Sequence, residues 1–321
     1  MMTRASRVFL ILLLLLASVT ASVGDSAKEL LASGRIDEAI AELNGRLSSS
    51  PGDPESANLL CRAYYTLEEW DRAESHCRKA VSLDPQNSRF HLWLGRVYGE
   101  KADRANFISA AALAGKVRGE FERAVQLNPK DVEARLDLAE FYIDAPGIVG
   151  GGEQKAREQA QTVGAVNPAR EHWVYARIAE HKKDAAKAEQ EYHQYIDLSK
   201  GDAEAWLNLA LFLRRQKRID EMEQALVKLS QATAPKPDVL VEASGMLYRA
   251  GRNFPLATEL LQRYLATGPV EAAPAFKAHY LLGMLLEKQG DKAGAAREYR
   301  ASLSLARNFG LAQQALNRVA H

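Results

Sequence analysis

The sequence predicts an all-α protein built as a solenoid of helical hairpins, and three observations carry that expectation. Prolines recur at a near-constant interval: Pro51 and Pro85 are 34 residues apart, Pro129 follows at 44 and Pro168 at 39, and Pro269 lies 101 further on, one short of three 34-residue units. Between them, apolar residues keep the helical spacing i, i+3, i+4, i+7 in two consecutive stretches. A turn rich in Gly, Asp, Lys and Glu splits each pair, as in ASGRID (32 to 37), TLEEWD (66 to 71), RQKRID (215 to 220) and KQGDKA (288 to 293). No stretch alternates at period two with β-branched residues, so no strand is expected.

The first element in the chain stands apart from the repeats. Arg4 and Arg7 precede the apolar run Val8 to Val19, which ends at the small-residue site Val19-Thr20-Ala21. That pattern reads as a signal peptide, residues 1–21, cleaved after Ala21. The run is shorter than the roughly 20 apolar residues a spanning helix needs, so an uncleaved anchor is the minority reading. The remaining chain, 22–321, is then expected to be a soluble, exported solenoid, periplasmic or secreted, with no membrane span after cleavage. With 47% hydrophobic and 26% charged residues it has the material for a large core. Lys+Arg 42 against Asp+Glu 41 leaves a net charge of +1, which excludes a bulk field drawing it to nucleic acid or an anionic membrane.

The first hairpin spans Asp25 to Ser50, and the second, 54 to 87, carries the clearest pattern: Leu60, Cys61, Tyr64, Trp70, Ala73, Cys77, Ala80, Pro85. With WLGRVY (93 to 98), WLNLALFL (206 to 213), SGMLYRAG (244 to 251) and YLLGMLLEKQGDKAGAAREY (280 to 299), the chain resembles an array of about eight tetratricopeptide repeats. The resemblance implies a right-handed superhelix stabilised by stacking between neighbours. Cys61, Ala73, Gly95, Ala210, Gly245 and Gly283 are small, as expected where the helices of one hairpin approach most closely. Larger residues such as Leu60, Tyr64 and Val81 fill the grooves beside them.

Later hairpins depart from the period in places. The third holds about ten extra residues near 99–117, and the fourth about six around 145–152. Insertions in a solenoid go to loops or lengthened helices on one face, used for binding or simply tolerated. The fifth closes on Lys200 where proline is usual, and a helix from about 310 to 320, with Leu311, Leu316 and Val319 on one side, is expected to cap the array.

Candidate chemistry is sparse. Cys61 and Cys77 are the only cysteines, one on each helix of the second hairpin; they form either a disulfide or, the favoured reading, two small packing thiols. The run PGIVGGGEQKAREQA (146 to 160) lacks the Gly-Lys-Ser/Thr ending of a phosphate loop and reads as a hairpin loop. Seven histidines are scattered without a metal-binding pattern. No nucleophile motif appears, so no catalytic residue, metal or cofactor is expected.

What remains is the inner face, which the resemblance assigns to the first helices of successive hairpins. On that stripe fall Arg62, Arg96, Arg135, Arg177, Arg214 and Arg249, at separations of 34, 39, 42, 37 and 35 that follow the repeat with its insertions. Tyr65, Tyr142, Trp173 and Tyr280 lie beside them. Guanidinium forks grip carboxylates, and aromatics give stiff contact area, so the expected partner is a protein or extended peptide, with an acidic one fitting the arginines best. Against this, Glu55, Glu100, Glu180, Glu242 and Glu287 share the face and are placed to pair with the arginines as a solvated lattice. The paired Lys/Asn residues of chaperone-binding members are missing; only Asn58 and Asn208 are present. The expected function is a non-enzymatic binding scaffold acting after export. The alternatives are an accessory subunit of an envelope or secretion complex, marked by an apolar patch on the outer face or on the 99–117 insertion, and, less favoured, an enzyme with an unrecognised site.

Overall fold

A computed structural model describes residues 23–232 and 236–320, and the expected signal peptide lies outside them. The described residues form an all-α solenoid of eight hairpins and a final helix. The hairpins are α1 Val23–Ala32 with α2 Ile36–Ser49, α3 Pro54–Thr66 with α4 Trp70–Leu83, α5 Ser88–Asp103 with α6 Phe107–Leu127, and α7 Val132–Asp144 with α8 Glu153–Gly164. They continue as α9 Pro168–His181 with α10 Ala185–Leu198, α11 Ala203–Arg215 with α12 Ile219–Ser230, α13 Pro237–Ala250 with α14 Phe254–Thr267, and α15 Ala275–Lys288 with α16 Lys292–Leu305. The last helix is α17, Gly310–Val319. No helix among them is long and apolar enough to cross a membrane.

The helix starts follow local chemistry. Asp53, Asp131, Asn167, Asp202 and Asp291 each accept a backbone N–H of the first turn they precede, satisfying donors that have no partner within the helix. Pro54, Pro168 and Pro237 occupy the first helical turn, where a missing N–H costs nothing. Pro168 therefore opens α9 and does not close the hairpin before it.

In the third and eighth hairpins one slot sets the approach, whereas Gly245 faces Arg249 of its own helix and Leu281 of the next hairpin and not its own second helix. A Cβ on Gly95 would lie 2.5 Å from the Phe121 ring, and a Cβ on Gly283 would lie 2.5 Å from the Tyr299 ring. The small residue thus makes room for an aromatic side chain of the second helix, and not for its backbone as the sequence pattern suggests. Gly283 and Tyr299 are sixteen residues apart, as are Cys61 and Cys77 in the second hairpin. Those cysteines are bonded to each other, with Cα atoms 5.1 Å apart, so the packing-thiol reading gives way to a disulfide. Two residues of middling size, joined covalently, fill the volume that glycine and tyrosine fill elsewhere. Closing a loop of that length stabilises by about 3 kcal/mol in the chain-entropy account.

Polar staples repeat as well. His91, His172 and His279 on first helices bond through Nδ1 to Glu120, Glu191 and Glu298 on second helices at 2.6, 2.6 and 2.7 Å. Between hairpins, Glu180 accepts both Tyr192 Oη–H and the Arg215 fork, the latter at 2.7 Å twice. Glu287 does the same with Tyr299 and with Arg318 of α17, at 2.7 Å and twice 2.8 Å. The cap helix occupies the place of the first helix of a ninth repeat.

The two insertions go different ways. The extra residues near 99–117 lengthen α5 and α6, to 16 and 21 residues, so that both run past the edge of the array. Those at 145–152 form a short 3-10 turn, Gly147–Val149, followed by glycines.

Two predictions come from this packing. Gly283→Ala is expected to destabilise by about 1–3 kcal/mol despite alanine's better helix propensity, because the ring has nowhere to go. Adding Tyr299→Leu should recover most of the loss, and urea unfolding of the two single variants and the double measures the coupling.

His91 supplies the second. Its Nε2 also bonds the Pro85 carbonyl, at 3.1 Å, so both ring nitrogens face acceptors and only the imidazolium donates to both. The Glu120 hydrogen bond, opposed by burial and helped by Pro85, raises its pKa above the ordinary imidazole value. A raised folded-state pKa gives stability that is complete below the unfolded value near 6.5 and lost as pH rises through the folded one. His76 is shifted down by burial, with Lys79 and Arg72 adding to it, and slopes the other way. Thermal melting of wild type minus His91→Gln should therefore decline above about pH 6.5, by no more than the roughly 1.5–3 kcal/mol of a charged hydrogen bond.

Candidate partner-binding surface

The array curves until its ends touch. Arg62 on α3 grips Glu271, 209 residues away, through both guanidinium edges, with Nε to Oε1 at 2.6 Å. Lys277 reaches Glu68 at 2.8 Å, and the backbone N–H of Arg307 donates to Asp37 at 2.9 Å. Phe276 and Ala306 of the eighth hairpin belong to the same apolar cluster as Ala27 and Leu31 of the first. At the turn between α1 and α2, Gly34 has φ +73°, and a Cβ there would come within 2.6 Å of the Ala275 nitrogen. The first-helix face therefore looks inward, and the contact between first and last hairpins adds to nearest-neighbour stacking.

Along this face the arginines divide. Arg62 is spent on the seam, over the Trp93 ring at 5.2 Å. Arg96 also lies over the Trp93 ring, at 5.1 Å, and donates to Asp137 at 2.6 Å. Arg177 reaches Glu140 and Asp144 at 3.3 and 3.2 Å. Arg135 turns to its own hairpin, donating to the Pro129 carbonyl and Gln159, each at 2.7 Å. Arg214 and Arg249 make no ion pair among the described residues. Burial, with repulsion from Arg214 and only Glu242 opposing, lowers the pKa of Arg249. Burial also raises Glu242 above the usual carboxylate range, while Arg249 counters it.

The aromatics divide too. Tyr65 stacks edge-on with Trp70 and Trp93, 5.3 and 5.4 Å between centroids, and donates to Glu100 at 3.2 Å. Tyr142 is 6% exposed and donates to Glu122 at 2.9 Å, so it belongs to the core between α6 and α7. Trp173 is half-buried and donates to Asn208 at 2.8 Å. Tyr280 packs on Tyr299 and Phe309 near the cap. Asn58 is fully buried.

The lattice carboxylates find partners mostly outside the arginine stripe: Glu55 with Lys28 and Arg89, Glu100 with Arg104, Glu180 with Arg215 as well as Arg177, Glu287 with Arg318. Trp93 is the central aromatic that the sequence pattern does not single out as a site residue. Its signal is its place three residues before Arg96 and opposite Arg62 one repeat earlier. A second feature absent from the sequence reading is a groove of about 950 Å3 beyond Tyr65 and Arg96, bounded by both insertions.

Residues 30–92 and 243–310 match family models described as tetratricopeptide repeat. Among solved structures, the chain is similar to a thermophilic tetratricopeptide repeat protein of Thermus thermophilus, at 18% identity over 58% of this chain and 95% of that one, TM-score 0.48. It is also similar to a tetratricopeptide repeat protein from Parabacteroides merdae, at 14% identity over 84% of this chain and 99% of that one, TM-score 0.40. No curated protein matches the sequence.

The seam is open to direct measurement. Arg62 and Glu271 are 16% and 18% exposed, so Glu271→Arg leaves two crowded cations facing each other and is expected to cost about 3–5 kcal/mol. It should also widen the particle in small-angle X-ray scattering. Exchanging the charges, Arg62→Glu with Glu271→Arg, should restore most of both.

Proposed function

We propose that this helical-repeat protein, which carries tetratricopeptide repeats in both its amino-terminal and carboxy-terminal hairpins, is a non-enzymatic scaffold that binds a protein or peptide on its inner face after export. The inner face is favoured by Arg214 and Arg249: they lie on adjacent first helices, neither makes an ion pair among the described residues, and Glu242 is the carboxylate that opposes their repulsion. Two guanidiniums without a paired carboxylate favour one from outside, and an acidic side chain or a chain terminus would relieve the repulsion. The other stripe arginines are poor candidates, because Arg62, Arg96 and Arg177 would have to abandon Glu271, Asp137, Glu140 and Asp144 first.

Export rests on the leader pattern of residues 1–21. A second reading, an accessory subunit of an envelope assembly, is favoured by Phe107 and Ile108, 87% and 80% exposed on the lengthened α6. Large apolar side chains exposed together mark interaction sites more often than accidents of the surface.

The test of the inner face uses a labelled extended peptide of alternating Glu and Leu as an acidic probe, on protein recovered from the envelope or medium with Ser22 as its first residue. Fluorescence anisotropy should show binding that weakens with salt, and Arg214→Glu with Arg249→Glu should reduce it about tenfold or more while leaving the helical circular dichroism unchanged. Binding that survives the double substitution would remove the inner-face assignment.

A further inference from the structure

The two insertions that interrupt the repeat face each other. Residues of the lengthened α5 and α6, of α7 and of the 145–152 turn together line the 950 Å3 groove. Phe107, Ala111, Phe141 and Ile148 give it an apolar lining, and Phe107 and Ile148 stand 87% and 95% exposed at its rim.

The turn carrying Ile148 is pinned in place. Gly152 N donates to the Tyr142 carbonyl at 2.8 Å and Gly151 N to that of Pro146 at 3.2 Å. Arg118 holds the Val149 carbonyl at 3.3 Å, and Lys155 holds that of Gly150 at 3.0 Å. A Cβ on Gly151 would fall 1.8 Å from the Ala145 carbonyl oxygen, so this close turn depends on glycine. A large apolar side chain is thus held out in water by an ordered turn, so little entropy remains to be lost when something covers it.

The groove is also charged on one side. Glu100, Asp103, Asp137, Glu140 and Asp144 line it. Arg96, Arg104 and Arg177 are the guanidiniums paired with them, which leaves an excess of two negative charges. Asp103 has no ion pair among the described residues. Glu140 is half exposed, and partial burial raises its pKa against Arg177, with Asp144 and Asp137 adding smaller contributions. An acidic peptide or an anionic surface would be repelled here.

We propose that the groove between the α5–α6 extension and the 145–152 turn takes an amphipathic segment of a partner protein, its apolar face on Phe107, Phe141 and Ile148 and its edge bearing Lys or Arg toward Asp103. The inference rests on reading the chain as a protein-binding scaffold and assigns it a second contact of opposite charge to the Arg214–Arg249 pair. Binding of this kind draws on apolar burial for strength and on the carboxylates for orientation and rate.

The probe is a short labelled peptide of Leu and Lys at helical spacing, with a Leu and Gln peptide of the same pattern as control, in fluorescence anisotropy. The Leu/Lys peptide is expected to bind about tenfold tighter than the control, and Phe107→Asp with Ile148→Asp, or Asp103→Lys, to weaken it about as much. These positions are exposed, so circular dichroism should not change. Arg214→Glu with Arg249→Glu should leave this probe untouched. Equal binding of the two peptides, or binding indifferent to the rim substitutions, would overturn the proposal. So would sedimentation showing a wild-type dimer that the rim variant abolishes, since a second copy would then fill the groove. If the Leu/Lys probe fails while the acidic probe binds at Arg214 and Arg249, the groove assignment falls and the scaffold stands; failure of both probes removes the scaffold reading with it.

Discussion

The fold depends on one volume held constant. In several hairpins a small residue on the first helix and a partner on the second together fill the space between them. Glycine faces tyrosine at 283 and 299, and cysteine is bonded to cysteine at 61 and 77. Ala176 with Tyr192, and Ala210 with Leu226, keep the same spacing and are equally buried. In the third hairpin the interval from Gly95 to Phe121 is longer by ten, the length of the insertion, and the contact is kept. The crossing therefore decides where extra residues can go: into helix ends beyond it, never between it and the core.

A fixed crossing angle, repeated, curves the array, and after eight hairpins the curve returns to its start. That closure has a chemical consequence for the inner face. Arg62 is consumed by Glu271 and, with Arg96, lies against Trp93, so this end of the stripe is a joint of paired charges and rings. Isolated surface pairs add little to stability, but the Arg62–Glu271 pair connects hairpins far apart in sequence and is largely shielded from water. What a solenoid without closure would offer to a ligand, this one uses to hold itself shut.

Local sequence carries the hairpins, because period, caps and small residues all act within one repeat. The eight units, the insertions and the cap are legible for that reason, and the family-model matches at 30–92 and 243–310 fall on hairpins read from pattern alone. The choice between two packing thiols and a disulfide is not legible, since both leave the same small residue in the same slot. Nor is the fate of the arginines: a stripe at repeat spacing says which face a side chain starts from, while Arg62 and Arg135 are decided by what curvature and the neighbouring helix bring within reach. The three His–Glu staples are hidden in the same way, as one partner of each lies on the other helix, and histidines scattered in sequence prove regular in space.

Charge along the inner face is thereby sorted without any bias in composition. The chain as a whole carries +1, yet carboxylates collect beside the insertions in the third and fourth hairpins while unpaired guanidiniums collect in the sixth and seventh. A regular lattice would have paired them all. At one end the insertions add residues that line a groove with more carboxylates than guanidiniums, and at the other end Glu242 stands alone against two arginines. Residues left over from internal pairing are the ones a partner can engage without breaking the array, so the sites follow from where the repeat is interrupted and where its own lattice runs short.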